Sequence, residues 1–326
     1  MPNHCHGNDL AALGRPPRRK RHGHTACVPS DGFATFPICR SCCAFPGSSA
    51  KGVAMNNPHR IRLVLADVDG TLVRPDKTLT ERSRAAVYKL ADEHIAFAIT
   101  SGRPPRGLTM LVEPLRLETP IAAFNGAMMV SPEMTPIDIK TIPSDIVIPV
   151  VHHLIERGLD VWIYQHTDWF LRDLAAPHAD REQRNVRFTP TVTQDLDGHA
   201  EGAVKIVGVS DDRPLVAACE KELREQYGDR VSAARSQPYY LDVTHPDANK
   251  GAVVRRLSVD LGVPRDAIAT LGDMDNDIEM FIESGLSIAM GQASEDVRRA
   301  ARRVTQSNAQ EGFAEAIERF VLADAP

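Results

Sequence analysis

Residues 61–71 read IRLVLADVDGT: an apolar run from Ile61 to Ala66, broken by one arginine, that stops at Asp67-Val68-Asp69-Gly70-Thr71. Such a run, without polar alternation, suits a central strand covered on both faces of a parallel sheet. The acidic residues therefore fall at the strand's carboxyl end. Thr80 is placed to cap a helix running to about Glu93, with Ala85, Ala86 and Leu90 facing inward, and Ile95 to Thr100 reads as the next strand. That strand ends at Ser101-Gly102-Arg103. Pro104 and Pro105 fit a first helical turn leading to about Leu111, and Ile121 to Phe124 reads as a third strand ending at Asn125-Gly126. Three strands ending in three polar clusters predict an α/β fold with a parallel sheet and a ligand crevice outside the strand carboxyl ends.

Further along, the texture changes. Residues 127–243 carry hairpin-like segments, helices near 144–157 and 213–227, and strands near 160–166, 203–209 and 239–243, as expected of an inserted α+β domain. The βα rhythm then returns. A helix follows Lys250-Gly251, a strand covers Ile268 to Leu271, and Gly272-Asp273-Met274-Asp275-Asn276-Asp277 leads into a helix ending near Glu283. A last strand, Leu286 to Met290, precedes two terminal helices. The expected division is a core in two parts, 56–126 and 244–326, around an insert at 127–243.

Upstream, residues 1–55 obey different rules. They hold seven Lys/Arg against two Asp/Glu and five of the six cysteines, with no helical or strand periodicity, whereas the remainder is net acidic. A disordered or non-native leader is the expectation, with Met55 as the true start. No apolar stretch follows the basic run 18–21 as a signal peptide requires. Zinc is the alternative, since Cys39-x2-Cys42 is half of a zinc spacing and His22, His24 and Cys27 offer further donors, but no second paired half follows. With the leader set aside only Cys219 remains, which fits a reducing cytoplasm.

The 326 residues, 43% hydrophobic and 25% charged with net charge -5, exclude collagen-like and disulfide-dense classes. The net acidity gives no support to a nucleic-acid partner, and no apolar run approaches a membrane span. Signatures of P-loop NTPases, dinucleotide-binding dehydrogenases, zincins and α/β-hydrolases are missing from the sequence.

The clusters suit phosphoryl chemistry. Asp67, Asp69, Asp273 and Asp277 offer a hard, oxygen-only set appropriate to Mg²⁺. Ser101 adds a hydroxyl donor and Lys250 a cation, so a phosphoryl group could be neutralised there while a carboxylate acts as nucleophile. Each residue alone has a plainer reading: a turn for Asp67–Gly70, a helix cap for Ser101, a solvated helix start for Lys250. Asp273-x-Asp275-x-Asp277 imitates a calcium loop, but Ile278 and Ser284 stand where that loop needs Gly and Glu.

Together and in this order the clusters resemble the haloacid dehalogenase superfamily, within it the Cof-type (subfamily IIB) sugar-phosphate phosphatases, over about residues 60–322. D-x-D-G-T is met by 67–71, the Ser-Gly-Arg motif by 101–103, the Lys-Gly motif by 250–251 and G-D-x-x-N-D by 272–277. The resemblance implies a Rossmann-like core with a C2B-type cap entered at Asn125-Gly126. It implies a Mg²⁺-dependent phosphatase of a small phosphorylated metabolite, acting through an aspartyl-phosphate. Asp67 would be the nucleophile and Asp69 the acid and base, with Ser101 and Lys250 binding phosphoryl oxygens. Asp67, the Asp69 carbonyl and Asp273 would hold the metal, with Asp277 and Asn276 in support. Gly70, Thr71, Gly102, Arg103, Asn125 and Asn276 would surround the substrate. A cytoplasmic monomer or homodimer is expected. A phosphomutase of the same superfamily and a non-catalytic phosphate binder are the other readings. In the insert, Lys205 can face the cleft, and His166, Asp168, Trp169 and Arg172 could meet the leaving group or form a packed hairpin.

Overall fold

Leu63–Asp67 is buried at every position and forms β1, the strand on which a first sheet is built. The computed structural model describes residues 60–323, so the expectations for 1–55, zinc included, lie outside the described residues. After β1 come α1 (Glu81–Asp92), β2 (Ala96–Thr100), α2 (Thr109–Leu115), β3 (Ile121–Ala123), β4 (Met128–Val130) and β5 (Pro136–Ile139). Thr80 caps α1 as expected, its side chain accepting from the Ser83 amide. The inward face is Ser83, Ala86, Val87 and Leu90, and Ala85 is exposed, because residues three and four apart share a helix face and 85 falls beside that stripe. The helix expected from Pro104 to Leu111 is instead a 3-10 turn, Pro105–Leu108, followed by α2.

The second stretch comprises α3 (Ser144–Glu156), β6 (Asp160–Gln165), β7 (Asp168–Leu171), α4 (Ala179–Val186) and β8 (Thr191–Val192), then β9 (Ala203–Val209), α5 (Arg213–Tyr227), β10 (Ser232–Gln237) and β11 (Tyr240–Thr244). The chain closes with α6 (Lys250–Asp260), β12 (Ile268–Gly272), α7 (Ile278–Glu283), β13 (Leu286–Ala289), α8 (Glu295–Ala300), β14 (Arg303–Val304) and α9 (Gly312–Ala316).

The first sheet has the order β14-β13-β12-β1-β2-β3-β4-β5, parallel from β14 to β3. β1 thus lies between β12 and β2, and the carboxyl ends of all three open on one edge. The second sheet, β10-β11-β9-β6-β7-β8, is antiparallel except for its last pair. Its two faces differ by strict alternation. Val161, Ile163, Ile206, Leu241 and Val243 pack under α3 and α5, while Trp162, Tyr164, Val207 and Tyr240 join the apolar cluster shared with the first sheet. The Phe124 and Tyr164 rings, 5.2 Å apart, connect the two.

The insert boundary expected at 127 is displaced. β4 and β5 pair antiparallel onto β3 and extend the first sheet, so the chain leaves it only after Ile139. The cause is the turn at Phe124, Asn125 and Gly126, three successive residues with positive φ (50°, 57° and 95°), which reverses the chain onto its own edge.

At the return, Asn249 caps α6 by accepting from the Ala252 amide at 2.7 Å. Asn249→Ala is expected to cost about 1 kcal/mol of stability. A thermal melt unchanged within error would deny the cap its role.

Candidate active site

Asp67 ends β1, Lys250 begins α6, and Asp273 and Asp277 follow β12, so three segments distant in sequence meet at one sheet edge. Lys250 is buried, with Nζ donating to Asp67 Oδ1 and Asp277 Oδ1, each at 2.6 Å. Gly251 lets α6 approach α7, where a Cβ would lie 2.9 Å from the Glu279 carbonyl. Asp277 Oδ2 accepts from the Asp273 and Met274 amides at 2.8 and 2.9 Å, which fixes the turn that presents Asp273. Thr71 Oγ1 donates to Asp273 Oδ1 at 3.2 Å, and Gln292 Nε2 donates to the Gly70 carbonyl at 2.6 Å and Asp273 Oδ2 at 3.3 Å. Gly70 has φ +91°, and a Cβ there would collide with the Asp273 carboxylate.

One oxygen from each of Asp67, Asp273 and Asp277 lies within 4.8 Å of the others. Three carboxylates around one ammonium leave excess negative charge in a buried space. Burial pushes Asp67 well above the usual carboxylate range, and the neighbouring Asp277 and Asp273 add to this against the pull of Lys250. Asp273 is raised to about 6 by burial and by Asp277. Burial alone would lower the Lys250 ammonium, but Asp277 and Asp67 raise it overall. The donor set is hard oxygen throughout, and its surplus charge is what a divalent cation would neutralise, so these residues fit Mg²⁺. Asp277 has both oxygens already engaged by three donors, one of them Lys250, which it helps to hold in place.

Asp69 faces the cleft differently. Arg103 Nε and Nη2 donate to its two oxygens at 2.6 and 2.7 Å, and Lys77 Nζ adds a contact of 2.6 Å. Burial would raise this carboxyl, but the hydrogen bonds and charge of Arg103, with those of Lys77, hold it at about 2. Arg103, expected beside the substrate, lines the cleft but spends its guanidinium on Asp69; it also donates to the Asn185 carbonyl of α4 at 3.3 Å. Ser101 is buried beside it, and Asn276 Nδ2 donates to Asn125 Oδ1 at 3.3 Å. Asp67, Asp69, Ser101, Gly102, Arg103, Asn125, Lys250 and Asn276 line one cleft; Gly70, Thr71, Asp273 and Asp277 do not line it, and Asp273 and Asp277 are tied to it through their cluster with Asp67.

The second sheet supplies the opposite wall. Lys205 reaches the cleft, its Nζ 2.6 Å from Asp242 Oδ2, and Tyr240 and Glu182 join it there. Asp242 and Glu182 escaped the sequence reading, although a lone carboxylate in the apolar strand β11 is itself a signal. Lys77 left no such signal, because only the turn geometry brings it to Asp69. The His166, Asp168, Trp169, Arg172 set does not line the cleft: Trp169 is buried against Trp162 and Tyr164, while Asp168 pairs with Arg106 at 3.5 Å. Among the described residues no helix is long and apolar enough to cross a membrane.

A family model described as haloacid dehalogenase-like hydrolase matches residues 64–317. The chain is 27% identical over 270 residues to the 5-amino-6-(5-phospho-D-ribitylamino)uracil phosphatase YitU of Bacillus subtilis (strain 168), covering 79% of this chain and 97% of that protein. Similarity to the HMP-PP phosphatase of Cronobacter sakazakii is 26% over 238 residues, covering 71% and 85%. A crystal structure of a haloacid dehalogenase-like hydrolase from Bacteroides thetaiotaomicron superposes with a TM-score of 0.72 at 27% identity, covering 80% of this chain and 99% of that one.

Proposed function

The chain belongs to the haloacid dehalogenase-like hydrolases, and from that membership we propose that it is a phosphatase of small phosphorylated metabolites that uses Asp67 as nucleophile and Mg²⁺ as cofactor. The observation that carries this reading is the buried carboxylate trio locked by Lys250 at the end of the central strand. Such a cluster is costly to hold together unless it serves a ligand that brings positive charge.

Asp67 and Asp273, with the Asp69 carbonyl, would hold the metal, which when bound neutralises charge on the transferring phosphoryl group. Asp67 attacks phosphorus as the ester P–O bond breaks, giving an aspartyl-phosphate and an alcohol. Asp69, after taking a proton from solvent, passes it to the leaving oxygen and then takes another from the water that releases phosphate. At rest that carboxylate is ionised in the grip of Arg103 and Lys77. An entering phosphate dianion gives both cations a second partner, and Asp69 is then free to carry the proton. Ser101 and Lys250 bind phosphoryl oxygens, and the wall formed by the second sheet acts as a cap over the leaving group.

Two curated relatives are named for phosphatase activity on different metabolites, so the substrate belongs to a class rather than to one compound. Phosphate release from a panel of phosphomonoesters, with and without Mg²⁺, tests the reading. Mg²⁺-dependent release is expected. A folded chain that releases phosphate from none of them would favour the mutase or the binder instead.

A further inference from the structure

The wall opposite the carboxylate trio holds buried polar groups that the reaction does not use. Lys205 on β9 and Asp242 on β11 are 7% and 5% exposed and form an ion pair of 2.6 Å. Among the described residues, neither Asp242 oxygen has a hydrogen-bond partner beyond that pair, and neither does the hydroxyl of Tyr240, which is 8% exposed. All three side chains line the same cleft as Asp67 and Ser101. Strand register explains why they share a face: Tyr240 and Asp242 alternate along β11, Asp242 pairs with Val207, and Val207 lies two residues from Lys205. Groups this buried and unpaired cost stability unless a ligand satisfies them.

Their position says which part of the ligand they meet. Lys205 Nζ lies 3.4 Å from the Gly102 carbonyl, in the loop assigned above to the phosphoryl group. The ion pair therefore stands at the neck of the cleft, next to the first carbons of the leaving group. A group placed there meets an acceptor at Asp242 and a donor at Lys205. Glu182, which accepts from Tyr164 Oη at 3.3 Å, adds a second carboxylate to this wall. An anion would be repelled by two carboxylates, and an ammonium would face Lys205. A hydroxyl donates to one and accepts from the other. Arg181 and Arg235 also line the cleft, but both are exposed at its rim, with Arg235 spent on Glu220 at 2.7 Å.

We propose that Lys205, Asp242 and Tyr240 form a hydroxyl-reading site that selects phosphate esters carrying a hydroxyl on the carbon next to the ester carbon. Esters with a carboxylate or an ammonium at that carbon are rejected. This rests on the phosphatase reading for where the phosphate sits.

Four two-carbon esters isolate the group in question: 2-hydroxyethyl phosphate, ethyl phosphate, 2-phosphoglycolate and phosphoethanolamine. Calorimetric binding to the full chain carrying Asp67→Asn, in Mg²⁺, reads recognition without turnover. The hydroxyl ester is expected to bind about tenfold tighter than ethyl phosphate, and the other two no tighter than ethyl phosphate. Adding the pair Lys205→Met and Asp242→Leu should bring all four within roughly threefold. Should that variant not fold, Asp242→Asn alone, which keeps shape, should bring 2-phosphoglycolate up relative to the hydroxyl ester. A flat series in the Asp67→Asn chain, or 2-phosphoglycolate in first place, overturns the proposal. Turnover of the same esters by the unaltered chain is a separate readout. Binding in the expected order without any phosphate release would remove the reaction and leave the recognition standing.

Discussion

Asp67→Asn is expected to lower kcat by roughly four to six orders of magnitude while leaving the chain folded. The amide is nearly the size of the carboxylate, so the packing at the end of β1 survives, and Lys250 keeps its second partner, Asp277. The substitution also removes one of three clustered carboxylates, and with it the repulsion that Asp67 meets from Asp277 and Asp273. A melting temperature equal to or above that of the unaltered chain should therefore accompany the loss of activity. Substantial turnover in a phosphate-release assay would take the nucleophile away from Asp67.

The second large effect is at Lys250. Lys250→Met keeps most of the side-chain volume but leaves Asp67 and Asp277 buried with no cation between them. Stripping one partner from a buried ion cluster costs about 3–5 kcal/mol, far more than a surface pair would. The deficit has a pH signature. Asp67 and Asp273 already have pKa values above those of an unfolded chain, and without the ammonium both would rise further. A carboxyl raised on folding favours the folded state while protonated and loses that advantage as pH climbs through its folded value. Chemical denaturation should accordingly show a deficit that widens between pH 4 and pH 7, and that Mg²⁺ narrows. A deficit independent of pH would mean that Lys250 matters for packing alone.

The parts of the molecule legible in the sequence are those whose cause is local. β1 announces itself by six consecutive positions of which five are apolar, Thr80 and Asn249 by cap chemistry beside a periodic run, and the Asp67, Ser101 and Asp273 clusters by ending strands that must be parallel. What escaped depends on contacts through space. Met128-Met129-Val130 reads as a buried strand whichever sheet it joins, and its partner is chosen by three positive φ angles that residue types foretell only at Asn125 and Gly126. Lys77 and Asp69 are eight residues apart, yet nothing between them signals an ion pair. Lys205 was visible as a charge in an apolar strand. Its partner Asp242 needed the β9–β11 register, which a single sequence does not disclose.

The place of β1 at the middle of the first sheet also has a history in time. One neighbour, β2, leaves the ribosome soon after it, but the other, β12, is made about 200 residues later, after the whole second sheet. At roughly 5–20 residues per second the nascent β1 waits on the order of 10–40 s with one edge unpaired. An apolar edge open for that long invites pairing with another chain. The growing polypeptide is therefore most exposed to misassembly, and most in need of a chaperone, while its second sheet is being translated.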